Sequence, residues 1–161
     1  MRKVIGIVGW KDVGKTFVVT EIIKLLVQKG YKVGSIKHAH HNFDIDHEGT
    51  DSFKHRKSGS SEVIISSPKR WAKIIENNNK KEKNLNELLN EFNDIDVAIV
   101  EGFKRENHPK IEIISQNSNI INNEINNVVA IVADNIIDYN IPVFKKNDVE
   151  SITQFIIDNF L

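Results

Sequence analysis

Apolar positions along the chain alternate between two rhythms. Residues 4–8 form a short run rich in β-branched side chains and closed by Gly9, the pattern of a strand buried on both faces. Over residues 15–29 the spacing changes. Val18, Ile22, Leu25 and Leu26 recur close to the helical period, and Gly30 stands where a helix ends. Residues 32–37 return to strand character, so strand, helix and strand follow one another as in a right-handed parallel crossover. After a polar stretch, Glu62–Ser66 and Trp71–Ile75 flank Ser67-Pro68-Lys69-Arg70. Proline at the second position of that tetrapeptide suits a type I turn and predicts a hairpin.

Residues 77–84 are a solvated loop. Leu85, Leu88, Leu89 and Phe92 then lie at i, i+3, i+4 and i+7, one face of an amphipathic helix. Strands are expected at residues 96–100, 111–115, 128–133 and 141–144, with an Asn-rich, mobile loop over residues 115–127. Val149, Ile152, Ile156 and Phe160 mark one face of a last helix, for which Asn147 and Glu150 are spaced as a capping box. The sum is an α/β fold. A mostly parallel sheet is flanked by helices and carries an antiparallel hairpin insertion, all in a single domain over residues 1–161.

Composition narrows the function. The 161 residues hold 22 Lys and Arg against 22 Asp and Glu, so the chain lacks the basic surplus with which a general nucleic-acid coat displaces counterions. No apolar run approaches the roughly 20 residues of a membrane span. Met1-Arg2-Lys3 leads into an apolar run cut short at Gly9, which is no secretory signal. Zero cysteines exclude disulfides and thiolate metal sites, and a cytoplasmic location is expected. Ile, Asn and Lys supply 62 of the 161 residues, so single Asn or Lys residues carry little weight on their own.

Against that background one motif stands out. Gly9-Trp10-Lys11-Asp12-Val13-Gly14-Lys15-Thr16 fits G-x-x-x-x-G-K-[ST], between a buried strand and an amphipathic helix. In a loop of this kind backbone N–H groups and the helix N-terminus face phosphate oxygens. Gly9 and Gly14 permit the tight path, Lys15 reaches the β- and γ-phosphates, and the Thr16 hydroxyl is placed to ligate Mg²⁺. The fold is therefore P-loop NTPase-like, binding a Mg²⁺-nucleotide whose base is left open.

Two further segments supply charge. Lys37 ends the second strand, beside the phosphate loop in an open α/β sheet, and is placed to meet a γ-phosphate or an anionic substrate. Lys15 and Lys37 are thus the candidate catalytic cations. Asp44, Asp46 and Asp51 offer oxygen ligands for Mg²⁺, against the plain alternative of a solvated loop. Five of the six histidines fall between His38 and His55. Consecutive His40 and His41 point different ways in any regular structure and make a poor metal clamp. Residues 95–102 form an apolar strand ending in Glu101 and Gly102, the arrangement of a Walker-B-type acid near Mg²⁺. A complete N-K-x-D motif is absent. Asp134 follows a late strand directly, where a carboxylate would accept from both N1–H and the 2-amino group of guanine.

These residues together resemble the molybdopterin-guanine dinucleotide biosynthesis protein B family. The resemblance rests on residues 9–16, Ile36-Lys37-His38-Ala39-His40-His41, Phe43-Asp44-Ile45-Asp46, Gly49-Thr50-Asp51-Ser52 and Glu101-Gly102-Phe103-Lys104, with Arg56-Lys57-Ser58-Gly59 and Pro109-Lys110-Ile111-Glu112 beside them. It runs from residue 3 to the last helix. It implies a homodimeric P-loop protein that binds GTP and Mg²⁺, hydrolyses GTP feebly, and serves a MobA-type guanylyltransferase that attaches GMP to molybdopterin. On that likeness Lys15 and Thr16 contact nucleotide and metal. Asp46, Asp51 and Glu101 lie near Mg²⁺, and Lys37 and His38 lie near the terminal phosphate or the molybdopterin phosphate. Phe17, Asp12 and Val13 depart from the family pattern. Two rival readings are a small ATP-dependent kinase or synthetase, and a metal-delivery GTPase that uses the histidines.

Overall fold

The computed structural model describes residues 3–39, 43–78, 81–115, 125–135 and 137–161. By contact the chain forms two compact units. One comprises residues 1–38 and 85–161, the other residues 39–84.

The first unit is built on a six-stranded sheet of β1 (Lys3–Gly9), β2 (Val33–Lys37), β5 (Val97–Glu101), β6 (Lys110–Ile113), β7 (Val128–Ala133) and β8 (Val143–Lys145). The helices of this unit are α1 (Lys15–Gln28), α3 (Leu85–Leu89) and α4 (Val149–Phe160). The second unit holds α2 (Asp51–Lys57) and the hairpin of β3 (Glu62–Ser66) and β4 (Trp71–Ile75).

Strand order is β2-β5-β1-β6-β7-β8, and every pairing in this sheet is parallel. The chain leaves β1 for one edge of the sheet and later fills the other side. The carboxyl end of β1 therefore lies at the switch in strand order, where open α/β sheets bind ligands. Parity along the strands decides which side chains face which helix. Ile5 and Ile7 of β1, Val97 and Ile99 of β5, and Ile111 and Ile113 of β6 pack in one core with Val18, Val19, Ile22 and Leu26 of α1 and Ile152 and Ile156 of α4. Ala98 and Val100 face the other way and pack with Leu85 and Leu89 of α3. Glu101 continues the parity of Val97 and Ile99, so its side chain emerges on the α1 face at the strand's end.

Helix α1 ends in a complete Schellman motif. Gly30, at φ +91°, donates its N–H to Val27 O at 3.0 Å, and Tyr31 donates to Leu26 O at 3.1 Å. The last helix is capped differently from the capping box that Asn147 and Glu150 suggest. Asp148 is the N-cap, and its carboxylate accepts from the Ser151 N–H at 3.2 Å. The helix expected from Leu85 to Phe92 stops at Leu89, although Phe92 still packs against that core. Asp96 is structural, accepting from the Lys32 N–H at 2.7 Å. Of the expected mobile loop, residues 116–124 lie outside the described residues.

On the α3 face, β6 carries two fully buried charged residues, Lys110 and Glu112. Lys110 Nζ donates to His108 O and to Asn126 O, each at 2.9 Å, which satisfies an otherwise costly buried ammonium. His108 is buried beside Gly6, where an added Cβ would lie 2.4 Å from the imidazole Nε2.

In the second unit the hairpin pairs Glu62 with Ile75, Ile64 with Lys73 and Ser66 with Trp71. The Ser67 N–H donates to Arg70 O at 2.9 Å across the turn. Apolar spacing gives no sign of helix α2. Its first turn is capped by Thr50, whose hydroxyl accepts from the Phe53 N–H at 3.4 Å.

Candidate functional site

The loop between β1 and α1 takes its path from its glycines. Gly9 has φ +150°, and a Cβ there would lie 2.4 Å from the Ile113 carbonyl oxygen of β6. Gly14 has φ +89° and serves as the N-cap of α1 without any side-chain cap. The first turn of α1 holds no acidic residue, so nothing on the helix itself neutralises the positive end of its dipole. Val13 is buried and joins the core, which anchors the middle of the loop. Lys11 and Asp12 are exposed, Asp12 in the left-handed region at φ +61°. Trp10 is 44% exposed, and Lys104 Nζ sits 4.9 Å from its ring centroid.

Lys15 folds back on the loop and donates from Nζ to the Trp10 carbonyl. Its pKa is lowered chiefly by desolvation, against which the Glu101 carboxylate acts to raise it. Thr16 Oγ1 lies 3.3 Å from both carboxylate oxygens of Glu101. Lys37 Nζ stands 3.3 Å from Glu101 Oε1. The Lys37 contact follows from the register, since Ile7, Glu101 and Lys37 occupy one level of three neighbouring parallel strands, while Thr16 reaches Glu101 from the first turn of α1. The expected phosphate-loop, strand-end acid and strand-end lysine residues are therefore brought together.

Thr16 Oγ1 and the Glu101 carboxylate are hard oxygen donors of the kind that Mg²⁺ takes. The 3.3 Å from the Thr16 hydroxyl to either Glu101 oxygen is near the roughly 3 Å between adjacent ligands in an octahedral Mg²⁺ shell. Beside them, His38 donates its backbone N–H to Glu101 O at 2.9 Å, and its ring stacks on Phe103 at 4.5 Å between centroids. Gly102, at φ +101°, makes the turn under His38. Asp134 directly follows β7 and is ion-paired with Lys146, 2.6 Å from Nζ to Oδ1.

Asp46 and Asp51 belong to the second unit. Asp46 is buried and accepts from Arg56 at Nε (3.1 and 3.2 Å) and at Nη2 (2.6 Å). The Arg56 hydrogen bonds hold the Asp46 carboxyl below the usual carboxylate range. Asp44 and Glu76 also bond Arg56, at 3.0 and 3.2 Å. Asp51 lies in the first turn of α2 and pairs with Lys54 at 3.1 Å. His40 and His41 lie outside the described residues. Among the described residues no group of three or more His, Asp or Glu is gathered to hold a metal ion. Sequence reasoning singled out Lys104 only within the Glu101-Gly102-Phe103-Lys104 motif and missed its place over Trp10, and it missed Lys146 altogether, because no local spacing encodes these contacts.

Known proteins share the sequence pattern and fold of this chain. The family model described as molybdopterin guanine dinucleotide synthesis protein B matches residues 4–134. A molybdopterin-guanine dinucleotide biosynthesis adapter protein of Escherichia coli (strain K12) is 30% identical, over 98% of this chain and 93% of that protein. One of the same description from Haemophilus influenzae is 38% identical, over 81% of this chain and 74% of its own length. A crystal structure of molybdopterin-guanine biosynthesis protein B superposes with a TM-score of 0.79 at 26% identity, covering 96% of this chain and 97% of the other. No described helix is long and apolar enough to cross a membrane.

Proposed function

As the chain belongs to the molybdopterin guanine dinucleotide synthesis protein B family, we propose that it is a Mg·GTP-binding adapter in guanylation of the molybdenum cofactor. The observation that carries this reading is the meeting of Thr16, Lys37 and Glu101 beside the phosphate loop, at the carboxyl end of the central strands. Loop N–H groups from residues 9–14 and the uncapped start of α1 receive the phosphates. Lys15 swings from the Trp10 carbonyl to the β- and γ-phosphate oxygens, whose charge opposes the lowering of its pKa by burial.

Thr16 and Glu101 would hold Mg²⁺, which when bound screens the charge of neighbouring phosphate oxygens. Lys37, kept at the site by Glu101, offers its ammonium to the terminal phosphate or, with His38, to the phosphate of molybdopterin. Asp134 accepts from the guanine base. The family likeness assigns Asp46 and Asp51 to the neighbourhood of the metal, while in the structure they pair with Arg56 and Lys54. With Lys15 and Lys37 as its only assigned catalytic cations and no assigned general base, the site supports at most slow GTP hydrolysis.

The chain would work in the cytosol beside a MobA-type guanylyltransferase that transfers GMP to molybdopterin. It is proposed to act as a homodimer. The hairpin leaves Ile64, Trp71 and Ile75 exposed, an apolar surface that a second copy would cover. Light scattering at micromolar protein, with and without GTP, tests the dimer, and a monomer in both conditions contradicts it. The adapter role is tested by reconstitution with molybdopterin, Mg·GTP and a guanylyltransferase. Dinucleotide formation should rise when the wild-type chain is added and should not rise with Lys15→Ala. Equal formation with and without the chain contradicts the reading.

A further inference from the structure

Guanine recognition by Asp134 alone leaves one edge of the base unread, and the structure supplies a neighbour for it. Resting on the Mg·GTP reading above, we infer that Lys146 is a specificity-determining residue. Together with Asp134 it forms a row of two acceptors and one donor that matches the Watson–Crick edge of guanine and mismatches that of adenine.

The placement follows from the sheet. β7 and β8 are parallel neighbours with Ala133 opposite Lys145. The next residues, Asp134 and Lys146, therefore leave the sheet side by side at its carboxyl edge. The Lys146 N–H donates to Ala133 O at 2.9 Å, which fixes the start of its side chain. From there the stem runs past the last glycine of the phosphate loop. Its Cδ and Cε lie 3.6 and 3.9 Å from where a Cβ on Gly14 would stand. The side chain ends with Nζ 2.6 Å from Asp134 Oδ1. Lys146 is 22% exposed and Asp134 40%, so the pair is seated on the loop yet open at its tip. The Lys146 stem thus adjoins Gly14, the glycine that precedes Lys15, and its ammonium carries the contact on to Asp134.

Read across the pair, the polar atoms run Oδ2, Oδ1, Nζ: acceptor, acceptor, donor. Guanine presents its 2-amino group, N1–H and O6 in the same sequence, which is donor, donor, acceptor. The carboxylate takes the two donors. The ammonium, which spends one proton on Oδ1, has others for O6. Adenine at the same edge sets its N1 lone pair against a carboxylate oxygen and its 6-amino group against the ammonium. Two of the three positions are then repulsive, and a site built for hydrogen bonds discriminates strongly against a base that cannot make them.

Calorimetric titration of Mg·GTP, Mg·ITP, Mg·XTP and Mg·ATP into the intact protein tests this. Wild type should bind in the order GTP, ITP, ATP, because inosine lacks the 2-amino donor. Lys146→Met should weaken GTP about tenfold and ATP by less than twofold, whereas Lys146→Arg, which keeps the donor, should retain the preference. Asp134→Asn should reverse the choice between GTP and XTP, since an amide offers a donor to the 2-oxo group of xanthine. Equal loss of GTP and ATP in Lys146→Met would make the lysine a phosphate contact and overturn the inference. No change in any of the variants would overturn it as well. Failure of the wild type to bind any triphosphate would instead overturn the nucleotide reading, and is told apart by that criterion.

Discussion

Lys37 and Glu101 stand at the same level of two neighbouring parallel strands, and their charged ends meet 3.3 Å apart at the carboxyl edge of the sheet. The contact is a consequence of register, and it ties the second strand's last residue to the acid that also meets Thr16. Glu101 is thereby the hub of the site, with one carboxylate serving a hydroxyl, an ammonium and, in the proposed complex, a metal. Glu101→Gln keeps the shape and removes the charge. It should lower the Mg²⁺ dependence of GTP affinity, with the triphosphate binding about tenfold more weakly in Mg²⁺ and nearly unchanged without it. Titrations with and without Mg²⁺ check this, and equal losses in both conditions would deny Glu101 a place near the metal.

Trp10 makes the loop its own reporter. The chain has two tryptophans, Trp10 in the phosphate loop and Trp71 in the hairpin. Lys15 donates to the Trp10 carbonyl, and Lys104 lies over the Trp10 ring. Movement of Lys15 onto a phosphate should therefore change Trp10 emission. Fluorescence should respond to Mg·GTP in Trp71→Phe and fall silent in Trp10→Phe. A signal that persists without Trp10 would contradict movement at the loop.

Gly102 should tolerate no side chain. Its φ of +101° favours glycine, and a Cβ there would lie 2.8 Å from His38 Cβ. Gly102→Ala should cost about 1–3 kcal/mol through strain and overpacking, measured by urea denaturation. It should also disturb the stacking of His38 on Phe103, so anion affinity should fall with stability. An unchanged midpoint would show that the turn has room to relax.

His108 gives the first unit an acid sensitivity. Neither ring nitrogen has a hydrogen-bond partner among the described residues, and burial, with a smaller contribution from Lys110, lowers its pKa from 6.5 to about 4. Between those values the unfolded chain takes up a proton that the folded chain refuses. Stability is then full above pH 6.5 and falls as the pH drops toward 4, at most by about 1.4 kcal/mol per pH unit. His108→Leu removes the two unpaired nitrogens along with the titration. Its melting temperature should change less than that of wild type between pH 7 and pH 5. Identical slopes in the two proteins would exclude His108 as the source.

Elements with strong periodicity are legible in the amino-acid sequence. Apolar runs at β1, β5 and β7, the helical spacing of α1 and α4, and the proline turn between β3 and β4 each reflect burial, which periodicity reports directly. Helix α2 escapes because it buries no residue, so the pattern has nothing to register. Its signals are local ones, the Thr50 cap and the glycine after Ser58. The shift from Asn147 to Asp148 as the cap of α4 is a one-residue difference, of the kind expected where two neighbouring residues both make good caps.

The site divides in the same way. The phosphate loop, Lys37 and Glu101 can be placed because each follows or ends a strand whose limits are visible in the sequence. Asp46 has the sequence context of an acid for a metal, yet it lies against Arg56, ten residues on in the chain. Lys146 carries no local signal, since only the pairing of β7 with β8 brings it beside Asp134.

The most direct test of the central claim is a calorimetric comparison of Mg·GTP and Mg·ATP binding to wild type and Lys15→Ala. The expected result is saturable GTP binding by the wild type, tighter than ATP and weakened at least tenfold in the variant. Selective ATP binding would contradict the account and favour a kinase or synthetase. Absence of binding by either nucleotide would show that the loop, with Asp12 in its path, does not hold a triphosphate.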